Sequence, residues 1–197
     1  MLIVLVVLWA CLQTGLTQLL ELGDCPKLAV EQNFDLKKYT GCWYSIFAFN
    51  TEAFQGNGNC VLAHYSSSPE SGKVIVYNEQ ISSNGKLNSI NGTAIPEDKN
   101  KKEGKLKVTL NIDVLKYKIP VTSNYWVLVT DYYNYAVVCS CFTIKLTHTL
   151  ACFILSRHVT LSEEFKKKID VYLKAAGIPW SRFKQVDQTN CGSHKCN

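Results

Sequence analysis

The chain has 197 residues, 47% of them apolar, and a formal net charge of +5. That is ample for one domain with a substantial core and thin for two. The lysines are scattered apart from runs at 99–105 and 166–168, which read as solvated surface. A nucleic-acid binder would interleave a basic face with aromatics, so nucleic acid is not an expected partner.

In chain order, the first signal is MLIVLVVLWACLQTGLTQ, apolar through about Ala10 and then small and polar. The apolar run is too short to span a bilayer and sits where a secretory leader belongs. The expectation is a signal peptide over 1–17, cut between Gly15 and Gln18, with one exported domain over 18–197. A rival is that LWAC, ending at Cys11, is a lipid-attachment box. The bulky Trp9 and the absence of a preceding Lys or Arg argue against it.

Past the leader the sequence breaks into short stretches rich in Val, Ile, Tyr and Phe: CWYSIFAFN, CVLAHYSS, KVIVYNEQ, KLNSINGTAI, KLKVTLNI, YWVLVTDY, YAVVCSCFTI and LACFILSR. Turn residues separate them at Pro69-Glu70-Ser71-Gly72, at Asn84-Gly85, over 96–104 and over 120–124. Asn-Gly between apolar runs signals a tight hairpin. About eight strands at this spacing predict an all-β antiparallel barrel or sandwich. The period then changes. Thr160-Leu161-Ser162-Glu163 fits a capping box, and Phe165, Ile169, Tyr172, Leu173 and Ala176 recur at helical spacing before Gly177 and Pro179. One amphipathic helix should therefore pack outside the sheet. A sandwich leaves that late helix unexplained. An eight-stranded barrel accounts for it, removes sheet edges and has room for one small ligand.

Of nine cysteines, Cys11 would leave with the leader. The remaining eight (Cys25, Cys42, Cys60, Cys139, Cys141, Cys152, Cys191 and Cys196) suggest a disulfide framework in an exported chain. A metal site would need short paired spacings with histidines nearby. Here Cys139 and Cys141 have one residue between them, and the four histidines are dispersed, so no metal is expected. Asn91-Gly92-Thr93 is the N-glycosylation sequon. It lies in a turn-like stretch, and Asn91 is the expected acceptor.

Three motifs then stand in order. GCWY (Gly41 to Tyr44) resembles the G-x-W block on the first strand of lipocalins. VTDYYNYAV (Val129 to Val137), with Thr130, Asp131 and Tyr132, resembles the second block. ILSR, ending at Arg157, resembles the third. The resemblance covers roughly Cys25 to Cys191. It is closest to the group of apolipoprotein D, insect bilin-binding and Lazarillo-like proteins, which share the NYAVV-like and NCVLAHYS-like strands and the DQTNC-like tail. It implies an eight-stranded up-and-down barrel with one C-terminal helix. It also implies a structural closed end, in which Arg157 lies over the face of Trp43 beside Gly41, Thr130, Asp131 and Tyr132. Asp131 reads as a turn-forming carboxylate. The same resemblance implies Cys25–Cys141 and Cys60–Cys191 bridges. Cys139 and Cys152 fall on adjacent strands of one hairpin and could pair if register allows. Cys42 and Cys196 have no partner in this pattern, which leaves a free thiol or an intermolecular bond as readings. An exposed thiol would serve a lipid-antioxidant role, the alternative function considered.

No nucleophile–base pair, G-x-S-x-G or H-E-x-x-H motif occurs. His64, His148, His158 and His194 read as satisfied or surface residues, and no enzyme is expected. Alternation along strands sets the interior. If Trp43 points in, so do Ser45, Phe47 and Phe49, and Cys42 points out. Tyr65 with Val61 and Ala63, and Asn78 with Val74 and Val76, form further inward sets. Tyr125 and Phe153 match pocket aromatics of the resembled group. The expected pocket is thus Phe47, Phe49, Tyr65, Val76, Asn78, Tyr125 and Phe153. The expected function is a secreted carrier of a small hydrophobic ligand such as a lipid, sterol, retinoid or pheromone. It needs no cofactor, although a bilin chromophore is a family precedent. Peripheral contact with membranes or lipid particles is a further expectation.

Overall fold

A computed structural model describes residues 20–52, 56–70, 72–114 and 117–196. The expected signal peptide at 1–17 lies outside them. A short strand β1 (Glu21–Leu22) and a one-turn helix α1 (Leu36–Tyr39) precede eight long strands. These are β2 (Gly41–Phe49), β3 (Asn59–Ser67), β4 (Val74–Ile81), β5 (Leu87–Pro96), β6 (Lys105–Val114), β7 (Tyr117–Thr130), β8 (Tyr135–Ile144) and β9 (Thr147–Ser156). Each pairs antiparallel with the next, and β9 returns to β2, closing the barrel. Helix α2 (Glu163–Ala175) follows, and strand β10 (Lys184–Gln185) adds to β2 beside Phe47 and Ala48.

Two apolar clusters divide the strand faces. Inside the barrel lie Trp43, Tyr65, Val74, Val76, Leu106, Val108, Val127 and Val138 with Phe34 and Tyr39. Outside, under α2, lie Tyr44, Ile46, Phe47, Val137, Ile154, Ile169, Leu173 and Ile178. The helix starts two residues later than the predicted box implies. Ser162 is its cap, its Oγ accepting from the Phe165 N–H at 3.3 Å. It ends in a Schellman arrangement, with Ile178 N–H to Leu173 O and Gly177 N–H to Lys174 O, where Gly177 takes φ +70°. Ile169 and Leu173 are buried, whereas Tyr172 faces solvent.

Four sequence expectations need correction. Phe47 and Phe49 do not point inward. Register runs Ser45 to Leu155 and then Phe47 to Ile154, so Ile46 is an extra residue in a β-bulge. A bulge inserts one residue and reverses the alternation beyond it. Phe47 therefore packs edge-on against Trp180, and Phe49 packs against Phe183 beneath the Arg182 guanidinium. Second, the 120–124 break lies within β7. Pro120 opposes Asn111 of β6, while β8 pairs with β7 only from Trp126 onward. The other edge of β7 is free there, where a missing N–H is tolerated. Third, Asn91 lies within β5 rather than in a turn; it is exposed and its Oδ1 accepts from Asn111 Nδ2 at 3.1 Å. Its neighbour Gly92 is needed by packing, because a Cβ there would sit 1.9 Å from Thr109 O. Fourth, Cys42 and Cys196 are bonded to each other. The tail runs beside β2 from Ala48 down to Tyr44, whose hydroxyl accepts from Cys196 N–H at 2.9 Å. The other bridges are Cys25–Cys141, Cys60–Cys191 and Cys139–Cys152. No free thiol remains among the described residues, so the thiol-based antioxidant reading loses its group.

Candidate ligand-binding cavity

The floor of the barrel is assembled from loops as much as from strands. Asp35 caps α1, its carboxylate accepting the Lys37 and Lys38 N–H groups, and so brings Tyr39 beneath the barrel. Trp43 is fully buried and donates Nε1–H to Tyr39 O at 2.9 Å. The Arg157 guanidinium carbon lies 3.6 Å from the Trp43 ring centroid. Its nitrogens donate to the carbonyls of Cys42 (2.7 Å), Thr40 (2.8 Å) and Tyr132 (3.1 Å). Gly41 is required beside it, with φ +102° and a would-be Cβ 3.0 Å from Nη1. In the β7–β8 turn, Asp131 accepts from the N–H groups of Tyr133, Asn134 and Tyr135 and from Asn134 Nδ2. Burial pushes its carboxyl up, but those hydrogen bonds outweigh it and leave Asp131 below the usual range. Thr130 Oγ1 donates to Tyr135 O and accepts from Tyr132 N–H. Gly41, Trp43, Thr130, Asp131, Tyr132 and Arg157 thus converge on one end, as a satisfied polar lattice around a buried indole.

Above this floor the interior holds two linked compartments, of about 40 and 90 Å³. Tyr65, Asn78, Tyr125 and Phe153 line both, and Val76 lines the larger. The predicted Phe47 and Phe49 line neither. Residues outside the predicted set complete the walls, notably Ser45, Val108, Leu110, Ser140 and Phe142. Ser45 follows from alternation along β2, and the signal for the other four is the i, i+2 alternation of β6 and β8. Beside the smaller compartment, where β2 and β3 separate, a third space of about 160 Å³ shares Ser45, Val61 and Phe153. The C-terminal tail lines this space and bridges the two strands beside it. Gln188 Nε2 donates to Ser45 O and Val61 O, one carbonyl on each strand.

No side chain lining the two compartments carries a charge. At their base the Tyr125 hydroxyl contacts those of Tyr39 (2.9 Å) and Tyr65 (3.0 Å). Three O–H groups serve two contacts, so one proton is left to donate elsewhere. Burial pushes all three phenols up, Tyr65 to about 12. Two polar atoms facing the smaller compartment, Ser45 Oγ and Asn78 Oδ1, are buried with no hydrogen-bond partner. Such atoms are rare in folded proteins and call for an explanation.

The histidines do not converge. His64 Nε2 lies 3.4 Å from Cys42 Sγ, His148 Nδ1 lies 3.1 Å from Gly23 O, and His194 bridges Cys60 O and Glu79. Among the described residues no group of three His, Cys, Asp or Glu is placed to hold a metal.

The chain is 34% identical to apolipoprotein D of Mus musculus over 192 residues, covering 97% of this chain and 96% of that one. It is 31% identical to insecticyanin-A of Manduca sexta over 156 residues, covering 77% and 78%. Among solved structures, Manduca sexta insecticyanin superposes with a TM-score of 0.75 at 28% identity, over 91% of this chain and 93% of that one. Apocrustacyanin C2 gives 0.70 at 25% identity, over 87% and 92%. The Lipocalin-like domain model matches residues 34–188. A closed eight-stranded barrel floored by Trp43 and Arg157 and carrying one outer helix therefore has a family: the chain belongs to the lipocalins.

Proposed function

We propose that the protein is a secreted carrier that takes a small hydrophobic ligand into the barrel. The observation that carries this reading is the uncharged, aromatic-lined interior above a sealed floor, with buried polar atoms that nothing in the chain satisfies. Transfer of apolar ligand surface from water supplies the driving force, at roughly 25 cal/mol per Å². Walls tied by four disulfides limit the ordering cost. The enclosed spaces are far below the ~300–1,000 Å³ of a drug-sized site. This favours a slender ligand, an alkyl or acyl chain, over a fused-ring one. A bilin pigment is the second reading, favoured by the likeness to insecticyanin; it would require the interior side chains to move apart.

Export follows from the 1–17 leader and from the disulfides, which persist in oxidising compartments, and residues 18–197 form the mature domain. Exposed Asn91 is the proposed glycan acceptor. At the open end Tyr117 is 74% and Leu146 82% exposed, which suits contact with a lipid surface during loading. The test is expression of the full chain in a secretory host, followed by an absorption spectrum and native mass of the protein in the medium. A colourless excess mass is expected, and a visible band would favour the bilin. Apo protein that takes up no lipophile would overturn the carrier reading.

A further inference from the structure

We infer that the interior takes its ligand head-first, seating a neutral hydroxyl or carboxamide head between Ser45 and Asn78 and discriminating against a carboxylate. This rests on the carrier reading and adds the ligand's head-group chemistry and its orientation. The two residues come from different strands. Asn78 of β4 is paired with Ala63 of β3, which is itself paired with Trp43 of β2. Ser45 follows two residues beyond Trp43, on the same inward face and just ahead of the bulge. The two side chains thus flank β3 at neighbouring levels, Asn78 in register with Trp43 and Ser45 one step further along the inward face. Ser45 is 3% exposed, and its Oγ has no hydrogen-bond partner within the chain.

What would satisfy these atoms follows from their inventory. Asn78 Oδ1 is an acceptor and needs a donor. Ser45 Oγ can donate or accept. The tyrosine chain below has one O–H more than its contacts use, and Tyr65 brings that chain to the compartment wall. The complementary group therefore both donates and accepts. A hydroxyl or a carboxamide does this; a carboxylate can accept from the hydroxyls but has no proton to give Asn78 Oδ1, which it would leave unsatisfied. Charge reinforces the selection. An ion buried here would have no counter-ion on the walls, and an unpaired buried ion is strongly disfavoured. Arg157, below Trp43, is held by the floor carbonyls. Burial raises the phenols of Tyr39, Tyr65 and Tyr125, so the same surroundings already oppose an anion. An alkyl chain behind the head then lies along Val108, Leu110 and Phe142 toward the open end.

The test is displacement of the neutral fluorophore N-phenyl-1-naphthylamine from the mature disulfide-bonded protein at neutral pH. The competitors are five ligands of one chain length: 1-dodecanol, dodecanamide, dodecanoate, dodecylamine and dodecane. Dodecanol and dodecanamide are expected to compete about tenfold better than the other three, the scale of one well-made buried hydrogen bond. Dodecanoate is expected to improve as pH falls and its carboxyl becomes neutral. Asn78→Leu should reduce dodecanol to the level of dodecane, and Ser45→Ala should remove a smaller part of its advantage. Should either variant fold poorly, the five-ligand ranking on the unmodified protein decides alone. Dodecanoate or dodecylamine binding as tightly as dodecanol would overturn the inference, as would dodecane equalling dodecanol. In both cases the carrier reading stands. If none of the five competes, the carrier reading fails and the head-group assignment falls with it.

Discussion

The floor of the barrel and the interior above it are built from the same materials, aromatic rings and polar atoms shielded from water, and they treat them in opposite ways. At the floor, Trp43 Nε1, the Arg157 guanidinium, Thr130 and Asp131 each have named partners within the chain. In the interior, Ser45 Oγ and Asn78 Oδ1 have none. A buried polar group with its partners in place contributes to one rigid arrangement. The same group without them costs free energy until something arrives to complete it. The contrast separates what holds the protein together from the region proposed to take the ligand, although both lie on the same strands.

The largest expected effect tests the floor. Trp43→Ala removes a fully buried indole that the surrounding backbone cannot collapse to fill. It should cost about 3–5 kcal/mol in urea unfolding. Trp43 lines neither interior compartment, so the folded fraction should still bind a neutral lipophile. A loss below about 1 kcal/mol would break the comparison, because it would mean that the indole is not part of the structural plug. Loss of binding without loss of stability would do the same.

Asp131→Asn probes the same region more gently. The substitution keeps an oxygen in place but removes the charge that strengthens three backbone hydrogen bonds. It should cost about 1–2 kcal/mol at neutral pH. The sign with pH follows from the lowered carboxyl. The contribution is present above the ordinary aspartate range and is lost as pH falls through the folded-state value. The unfolding midpoints of the two proteins should therefore differ at neutral pH and converge in acid. A gap that persists unchanged in acid would show that Asp131 acts by shape and not by charge.

How much of this could be read from the sequence depends on what each feature needs. Gly41-Cys42-Trp43, the aspartate turn and Arg157 are local or nearly local patterns, and their resemblance to the three lipocalin blocks is what implies the floor. The inward sets on β3 and β4 follow from simple alternation, and Tyr125 of β7 and Phe153 of β9 from the family resemblance. Phe47 and Phe49 do not obey the alternation, because a single inserted residue, Ile46, reverses the parity of everything beyond it and leaves no mark in composition. Ser45 precedes the bulge, so alternation from Trp43 still gives its direction. Pro120 looked like a break because its tolerance depends on which neighbour β7 lacks there. That is a property of the sheet and not of the segment. Cys196 reaches Cys42 only because the tail bridges β2 and β3, a path set by tertiary structure. The open space in the interior is the least legible feature, since alternation gives direction and says nothing about volume.

The smallest expected effect is also the one that sharpens the contrast most. Ser45→Ala removes a hydroxyl that is buried and makes no hydrogen bond within the chain. At the floor, deleting a polar group breaks contacts. Here it deletes a desolvation cost and leaves a methyl in an apolar setting of Val61, Ala63 and Leu155. The variant should be as stable as the parent or more stable, by up to about 1 kcal/mol in thermal or urea unfolding. Functional positions often carry such a trade between stability and activity, and a hydroxyl kept at the expense of stability is what the proposed head-group seat requires. A destabilisation of about 1 kcal/mol or more would instead mean that Ser45 has a partner inside the protein and belongs with the floor.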